Sequence, residues 1–283
     1  MSGSVGIVGQ GFVGNAIYEG LINFFTIETF DIDAHQRSSC ENMLDLIDKS
    51  EEIVFVCVPT PMTPEGECDI SVVKSVVLKI DEVAKILDKK IVAVIKSTVP
   101  PGTTDFLNQL CTFTSCVFSP EFLTEANSVE DFKTQTRIIL GGNGAKTVKR
   151  MFRKPFPSIP IIVTKAETAE MIKYFTNAFL ATKVIFANEM YEICQKCGVD
   201  YDKVSEYALY DERIGKSHLA VPGPDGDRGF GGHCFPKDMS ALIYFAESHG
   251  VSPGLFKKVL DVNDELRTDR DWERMKGRAV VSD

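Results

Sequence analysis

The chain has 283 residues, 44% of them hydrophobic and 25% charged, which is enough for a sizeable core in one large domain or two ordinary ones. Its formal net charge of -9 excludes a general nucleic-acid binder, which needs a basic face. The charge leaves room for a small anionic ligand held by local lysines and glycine loops. No apolar run reaches the length of a membrane span, and residues 1–8 run straight into a strand pattern that leaves no room for a signal peptide. The eight cysteines are scattered, with Cys57 and Cys116 inside apolar strand patterns, so they read as reduced thiols of a cytoplasmic protein.

Short apolar runs at residues 5–8, 27–30, 53–58, 91–95, 116–118, 138–140 and 161–163 alternate with amphipathic stretches such as 71–87. Strand and helix in alternation imply a Rossmann-type, doubly wound α/β domain over residues 1–165, with a mostly parallel sheet covered on both faces. The first turn reads Gly9-Gln10-Gly11-Phe12-Val13-Gly14, follows a strand, opens a helix and is followed by Asp31 at the end of the next strand. In that context the first glycine permits the tight turn, the second lets a pyrophosphate approach the backbone, and the third permits close helix–strand packing. Gly9, Gly11, Phe12, Val13 and Gly14 are therefore expected to hold a dinucleotide. Asp31 would bind its ribose hydroxyls, with Asp33 as the alternative, and a carboxylate there favours NAD over NADP. Two later loops, Val58-Pro59-Thr60-Pro61 and residues 96–103, end strands on the same expected edge of the sheet. Pro59, Thr60, Ser97, Thr98, Thr103 and Thr104 are candidates for contacts to that ligand.

Residues 167–198 carry helix formers without proline or internal glycine, nearly 50 Å of helix at about 1.5 Å per residue. Its apolar positions, among them Met171, Ile172, Phe175, Phe179, Ile185 and Phe186, spread beyond one stripe, so it is expected to be covered on several sides. It would be the spine of a helical domain over residues 166–283 and the contact of a homodimer. Lys173 and Asn177 interrupt it one turn apart, a lysine and an amide that can serve a reacting hydroxyl. Cys194 and Cys197 lie late in the same pattern with no second pair, so no metal site is expected. Farther on, Gly229-Phe230-Gly231-Gly232-His233-Cys234-Phe235-Pro236-Lys237-Asp238 sets a cysteine after a glycine-rich turn and beside a cation that favours thiolate.

These segments together resemble the family of UDP-glucose and GDP-mannose dehydrogenases, and within it the UDP-glucose 6-dehydrogenases. The resemblance runs over nearly the whole chain, through residues 9–14, 58–61, 97–103, Ser119-Pro120-Glu121-Phe122-Leu123-Thr124-Glu125, 169–183, 211–215 and 229–238. It implies an NAD-dependent enzyme that oxidises the C6 alcohol of UDP-glucose to UDP-glucuronate in two hydride transfers. Cys234 would form a thiohemiacetal and then a thioester, which water hydrolyses. Lys173, Asn177 and Asp238 would assist the first oxidation and hold that water, with Thr98 and Glu125 near the reacting carbon. Glu121, Phe122 and Leu123 match the substrate loop, and Gly229 and Lys237, in the matching cysteine segment, are expected to contact the substrate with them. Arg213 matches an arginine that reaches the neighbouring subunit's substrate. UDP-N-acetyl sugars and GDP-mannose stand behind UDP-glucose as substrates.

Three departures from the family pattern stand out. Ala126 occupies a position that is usually glycine, and the stretch 215–229 is long and holds Pro222-Gly223-Pro224-Asp225-Gly226-Asp227-Arg228. The third, nucleotide-binding domain of the relatives is expected to be absent. A two-domain hydroxyacid dehydrogenase and a non-catalytic NAD-binding or regulatory subunit remain as alternative readings. The cysteine motif speaks against the first of these, and intact Lys173, Asn177, Cys234 and Asp238 against the second.

Overall fold

The structure, a computed structural model, describes residues 3–33 and 35–282. In chain order the elements are β1 (Ser4–Val8), α1 (Phe12–Leu21), β2 (Thr26–Phe30), α2 (Met43–Lys49), β3 (Ile53–Val56), α3 (Ser71–Ile86), β4 (Ile91–Ile95), α4 (Thr103–Leu110) and β5 (Thr114–Phe118). They continue with α5 (Ser128–Lys133), β6 (Ile138–Gly141), α6 (Ala145–Phe152), β7 (Ile161–Thr164), α7 (Ala166–Cys197), α8 (Tyr201–Ala208), α9 (Phe235–Ser248) and α10 (Gly254–Leu266). Two compact units result: the residues up to Thr60 with Asp69–Lys173, and Pro61–Cys68 with everything from Tyr174 onward.

The first unit is a seven-stranded sheet in the order β2-β1-β3-β4-β5-β6-β7, parallel throughout except where β5 meets β6 through the single pair Phe118 and Gly141. Its central strands carry apolar side chains on both faces, as strands covered by helices must. In β3 the alternation is direct. Val54 and Val56 join Val73, Val77 and Ile80 of α3 and Leu46 of α2, while Ile53 and Phe55 join Ile17 and Leu21 of α1 and Phe152 of α6 on the other face. The expected strand at 53–58 stops at Val56, because Cys57 and Val58 turn to pack against the first glycine loop.

By their contacts the two units divide after Lys173, inside α7, eight residues beyond the expected boundary. The first two turns of that helix belong to the sheet: a Cβ on Gly141 would lie 2.7 Å from the Ala169 Cβ. The next residue, Glu170, is fully buried and caps α4, accepting hydrogen bonds from Gly102 N–H (2.7 Å), Thr104 N–H (2.8 Å) and the Thr104 hydroxyl (2.6 Å). Gly102, at the start of α4, offers no side-chain cap of its own, so this carboxylate meets the otherwise orphaned donors.

The second unit is helical. Ala187 and Cys194 of α7, Tyr201 of α8, and Leu219 and Val221 form its apolar cluster, and the Tyr201 hydroxyl donates to the Leu219 carbonyl (2.7 Å). Residues 61–68 belong here because Met62 pairs by backbone with Ala279 and Val281.

Candidate active site

In the first unit the candidate residues gather at the carboxyl ends of β1 to β4, where the order reverses between β1 and β3. Gly9 has φ 89°, and a Cβ there would sit 2.4 Å from the Cys57 carbonyl oxygen. A Cβ on Gly14 would be 2.0 Å from the Gly9 carbonyl oxygen, so the third glycine is demanded by the turn itself. At Gly11 a Cβ would meet nothing within 4 Å, and α1 begins there with no side-chain cap. An open backbone at the start of a helix is what a pyrophosphate requires, so these residues fit a dinucleotide. Phe12 and Val13 form the first turn of α1. The Asp31 carboxylate accepts from Gln10 N–H (2.5 Å) and Asp33 N–H (2.9 Å), which fixes it beside the glycine turn, with Asp33 exposed. The next two loops are tied to each other: Thr60 Oγ1 donates to the Thr98 carbonyl (2.9 Å) and Ser97 Oγ to the Val58 carbonyl (2.5 Å). Pro59 between them is exposed.

Glu121 anchors the expected substrate loop. Lys173 Nζ donates to its Oε1 (2.8 Å) and to its backbone carbonyl (2.7 Å), while Leu123 N–H donates to Oε2 (2.8 Å). Burial by itself would raise the Glu121 carboxyl, but the Lys173 charge and hydrogen bond, the Leu123 N–H and the Lys96 charge hold it below the usual range. The Phe122 ring packs under the Arg137 guanidinium at 4.3 Å. Glu125 lies on an exposed turn of 3₁₀-helix, Glu125–Asn127.

Lys96 carries no role in the sequence reading. The structure buries it at the end of β4, its Nζ donating to Ser119 Oγ (3.3 Å) and the Pro120 carbonyl (3.2 Å). Desolvation pulls its pKa down to about 8, against the opposing pull of Cys57 and Glu121. A lysine placed directly after the all-apolar strand Ile91–Ile95 was the available sequence signal. Cys57 is pushed up to about 12 by burial and is an inert thiol.

In the second unit, α7 and α9 bring Asn177 and Asp238 together. Asn177 Nδ2 donates to Asp238 Oδ2 (2.6 Å), and Lys237 Nζ pairs with Asp238 Oδ1 (2.5 Å), all three being buried. Burial would depress Lys237, yet the Asp238 charge, followed by those of Cys68 and Cys234, holds it above the normal lysine value. Cys234 is half-buried at the start of α9, with Pro236 inside the first turn and its carbonyl accepting from Asp238 N–H (2.9 Å). Arg213 stands apart on the surface, paired with Asp211 (2.5 Å). None of the eight cysteines is in a disulfide, and among the described residues no group of three metal-ligating side chains converges.

A doubly wound sheet with an open glycine turn, continued by a helical unit with a cysteine at a helix start, defines the architecture of a nucleotide-dependent dehydrogenase. Two domain models carry this further: residues 31–154 match the NAD binding domain of the UDP-glucose/GDP-mannose dehydrogenase family, and residues 167–265 match its central domain. The chain belongs to that family and contains its NAD-binding domain. It is 35% identical over 257 residues to UDP-glucose 6-dehydrogenase of Rickettsia conorii, covering 88% of this chain and 56% of that protein. It is 36% identical over 241 residues to UDP-glucose 6-dehydrogenase TuaD of Bacillus subtilis, covering 82% and 50%. The chain thus spans about half the length of the curated relatives it matches. A UDP-glucose dehydrogenase from the archaeon Pyrobaculum islandicum superposes with a TM-score of 0.84 at 28% identity, over 94% of this chain and 68% of that one.

Proposed function

We propose that this chain catalyses the NAD-dependent, four-electron oxidation of the C6 alcohol of UDP-glucose to UDP-glucuronate, with Cys234 as covalent nucleophile. The observation that carries the reading is the Asp238 carboxylate, gripped by Asn177 and Lys237 one helical turn after Cys234. Gly9, Gly11, Gly14, Asp31, Thr60 and Thr98 would hold NAD, which when bound supplies the hydride acceptor for both oxidations. Lys173 would donate a hydrogen bond to the oxygen of the reacting alcohol, stabilising negative charge as its proton leaves. The Cys234 sulfur then adds to the aldehyde carbon, and the resulting thiohemiacetal is oxidised to a thioester, so the aldehyde never leaves. Asp238 would take a proton from the water that hydrolyses the thioester, Asn177 orienting that water. The Glu121–Leu123 loop would bind the sugar, and Arg213 the substrate of a neighbouring subunit.

The working form is a homodimer in the cytoplasm. Phe175, Phe179, Phe186 and Ile193 of α7 are each more than half exposed and recur at spacings of about one and two turns, forming an apolar stripe that suits a second copy of the helix. No helix among the described residues is long and apolar enough to cross a membrane.

Purified protein with NAD and UDP-glucose, followed by NADH absorbance and product mass spectrometry, tests the catalytic reading. Two NADH per UDP-glucuronate are expected, with steady turnover lost in Cys234→Ser. A folded protein that binds NAD yet yields no NADH with UDP-glucose rejects it.

A further inference from the structure

We propose that Asn263 and Arg267, one turn apart at the end of α10, are positioning residues that set the placement of Cys234 by holding the glycine turn before it, Asn263 by its backbone and Arg267 through Asp271. The inference rests on Cys234 being the nucleophile, and nothing in the family resemblance or the reaction assigns either residue a part.

Asn263 is fully buried, and its amide is spent on one residue of the turn. Phe230 N–H donates to Asn263 Oδ1 (2.7 Å), and Asn263 Nδ2 donates to the Phe230 carbonyl (3.0 Å). A side-chain amide that meets both groups of one peptide residue copies a strand partner and fixes that residue's position and orientation. The fit is tight: at Gly229, with φ 67°, a Cβ would come within 2.4 Å of Asn263 Oδ1. Asn188 of α7, itself buried, accepts from Gly229 N–H (3.3 Å) on the other side.

Arg267 continues the grip. Its side chain is 3% exposed, with Nη1 2.6 Å from Asp225 and Nη2 3.5 Å from Asp271. Asp271 in turn accepts from Gly232 N–H through both carboxylate oxygens (3.1 Å each). A Cβ on Gly231 would fall 2.4 Å from Arg267 Nη2 and 2.6 Å from Asp271 Oδ1. Asp227, which closes the cage, accepts from Arg228, Thr268 and Asp269 N–H groups and is drawn down to about 2 despite its desolvation.

Phe230, Gly231 and Gly232 are thus held from α10 and the residues just after it, two residues upstream of Cys234. The glycines at 229 and 231 are required by these side chains, while Gly232, where a Cβ would meet nothing within 4 Å, is the open position of the turn. Released from this grip, the thiol loses its fixed place at the start of α9 near the Lys237 cation, the two features that favour thiolate.

Cysteine alkylation tests this without substrate or turnover. The second unit contains its own standards: exposed Cys197 reports reagent, and buried Cys194 reports unfolding of the unit. Iodoacetamide labelling of each site is followed by peptide mass spectrometry from pH 5 to 10 in wild type, Asn263→Leu, Asn263→Asp and Arg267→Lys. The expected result is a Cys234 profile displaced to higher pH and, at pH 7, a Cys234 rate about fivefold lower, with Cys197 unchanged and Cys194 still protected. Asn263→Asp, which keeps the acceptor for Phe230 N–H, should fall between wild type and Asn263→Leu. Wild-type Cys234 profiles in all three variants overturn the proposal. So does Cys194 labelling in step with Cys234 in all of them, since α10 would then serve only the stability of the unit. An enzyme inactive on UDP-glucose leaves this readout intact, so the two proposals fail separately.

Discussion

Replacing Lys173 by methionine should expose how the first unit depends on one buried charge pair. The lysine and Glu121 are 4% and 6% exposed at their side chains and 2.8 Å apart, so the substitution strands a carboxylate in a low-dielectric site. Removing one partner of such a pair costs about 3–5 kcal/mol. The loss should fall near the lower end, at about 3 kcal/mol, because Lys96 remains as a buried counter-charge to Glu121. Methionine keeps the length and the apolar stem of the lysine, so little of this loss is cavity.

The pH dependence should change sign. In the wild type the Glu121 carboxyl lies below its ordinary 4.5, so its contribution is present above that value and is lost as pH falls through the folded value. In Lys173→Met burial dominates and raises the carboxyl above 4.5, so the folded state binds the extra proton and stability is recovered as pH falls from 7 toward 5. Adding Glu121→Gln to Lys173→Met should restore about 2 kcal/mol, because the stranded charge is gone while the amide oxygen can still accept from Leu123 N–H. The single tryptophan, Trp272, lies in the second unit, so urea unfolding of the first is best followed by labelling of buried Cys116 in β5. A Lys173→Met protein that loses less than about 1 kcal/mol and keeps the wild-type pH slope would refute the reasoning.

The glycine turn separates two effects. Gly14→Ala should cost about 2 kcal/mol or more of stability along with NAD affinity, since its Cβ has only 2.0 Å to the Gly9 carbonyl. Gly11→Ala should leave the melting temperature unchanged and weaken NAD binding in calorimetry; equal losses of stability in both would contradict the geometry. Lys96→Met should flatten the stability curve between pH 8 and 10.5. With its folded value lowered to about 8, the wild-type lysine sheds its proton earlier folded than unfolded, so stability rises with pH across that window. Denaturant midpoints measured from pH 7 to 10.5 would show it, and a variant with the same rise would exclude Lys96 as its source. Phe179→Asp, introduced at an exposed position of α7, should convert a dimer to monomer in analytical ultracentrifugation while the far-ultraviolet helix signal is kept.

Most of the sheet was legible because its strands are short apolar runs with both faces covered, and the helix at 166–197 because nothing in 32 residues breaks it. The glycine turn was legible because one of its reasons is local, Gly14 meeting Gly9 five residues away, although Gly9 itself meets Cys57 of another loop. The contacts made by the first turns of α7 were not. Ala166, Ala169 and Glu170 look like any helix start, and only contact with Gly141 and with the first turn of α4 assigns them to the sheet. Lys96 was missed for a related reason, since its burial is decided by Ser119 and Pro120 of another loop.

The second glycine turn shows where local reading misleads. Glycines before a cysteine suggest room for a substrate against the backbone, and at Gly232 a Cβ would indeed meet nothing within 4 Å. Gly229 and Gly231 are small because Asn263 and Arg267 occupy the space a side chain would need, from a helix more than thirty residues downstream. The two turns differ in what their side-chain-free positions face. At Gly11 the space is empty of protein and suits a ligand, whereas at Gly229 and Gly231 it is filled by the side chains of Asn263, Arg267 and Asp271. A glycine motif therefore identifies a functional turn without saying which of its glycines touches a ligand; that follows from what stands where each Cβ would be.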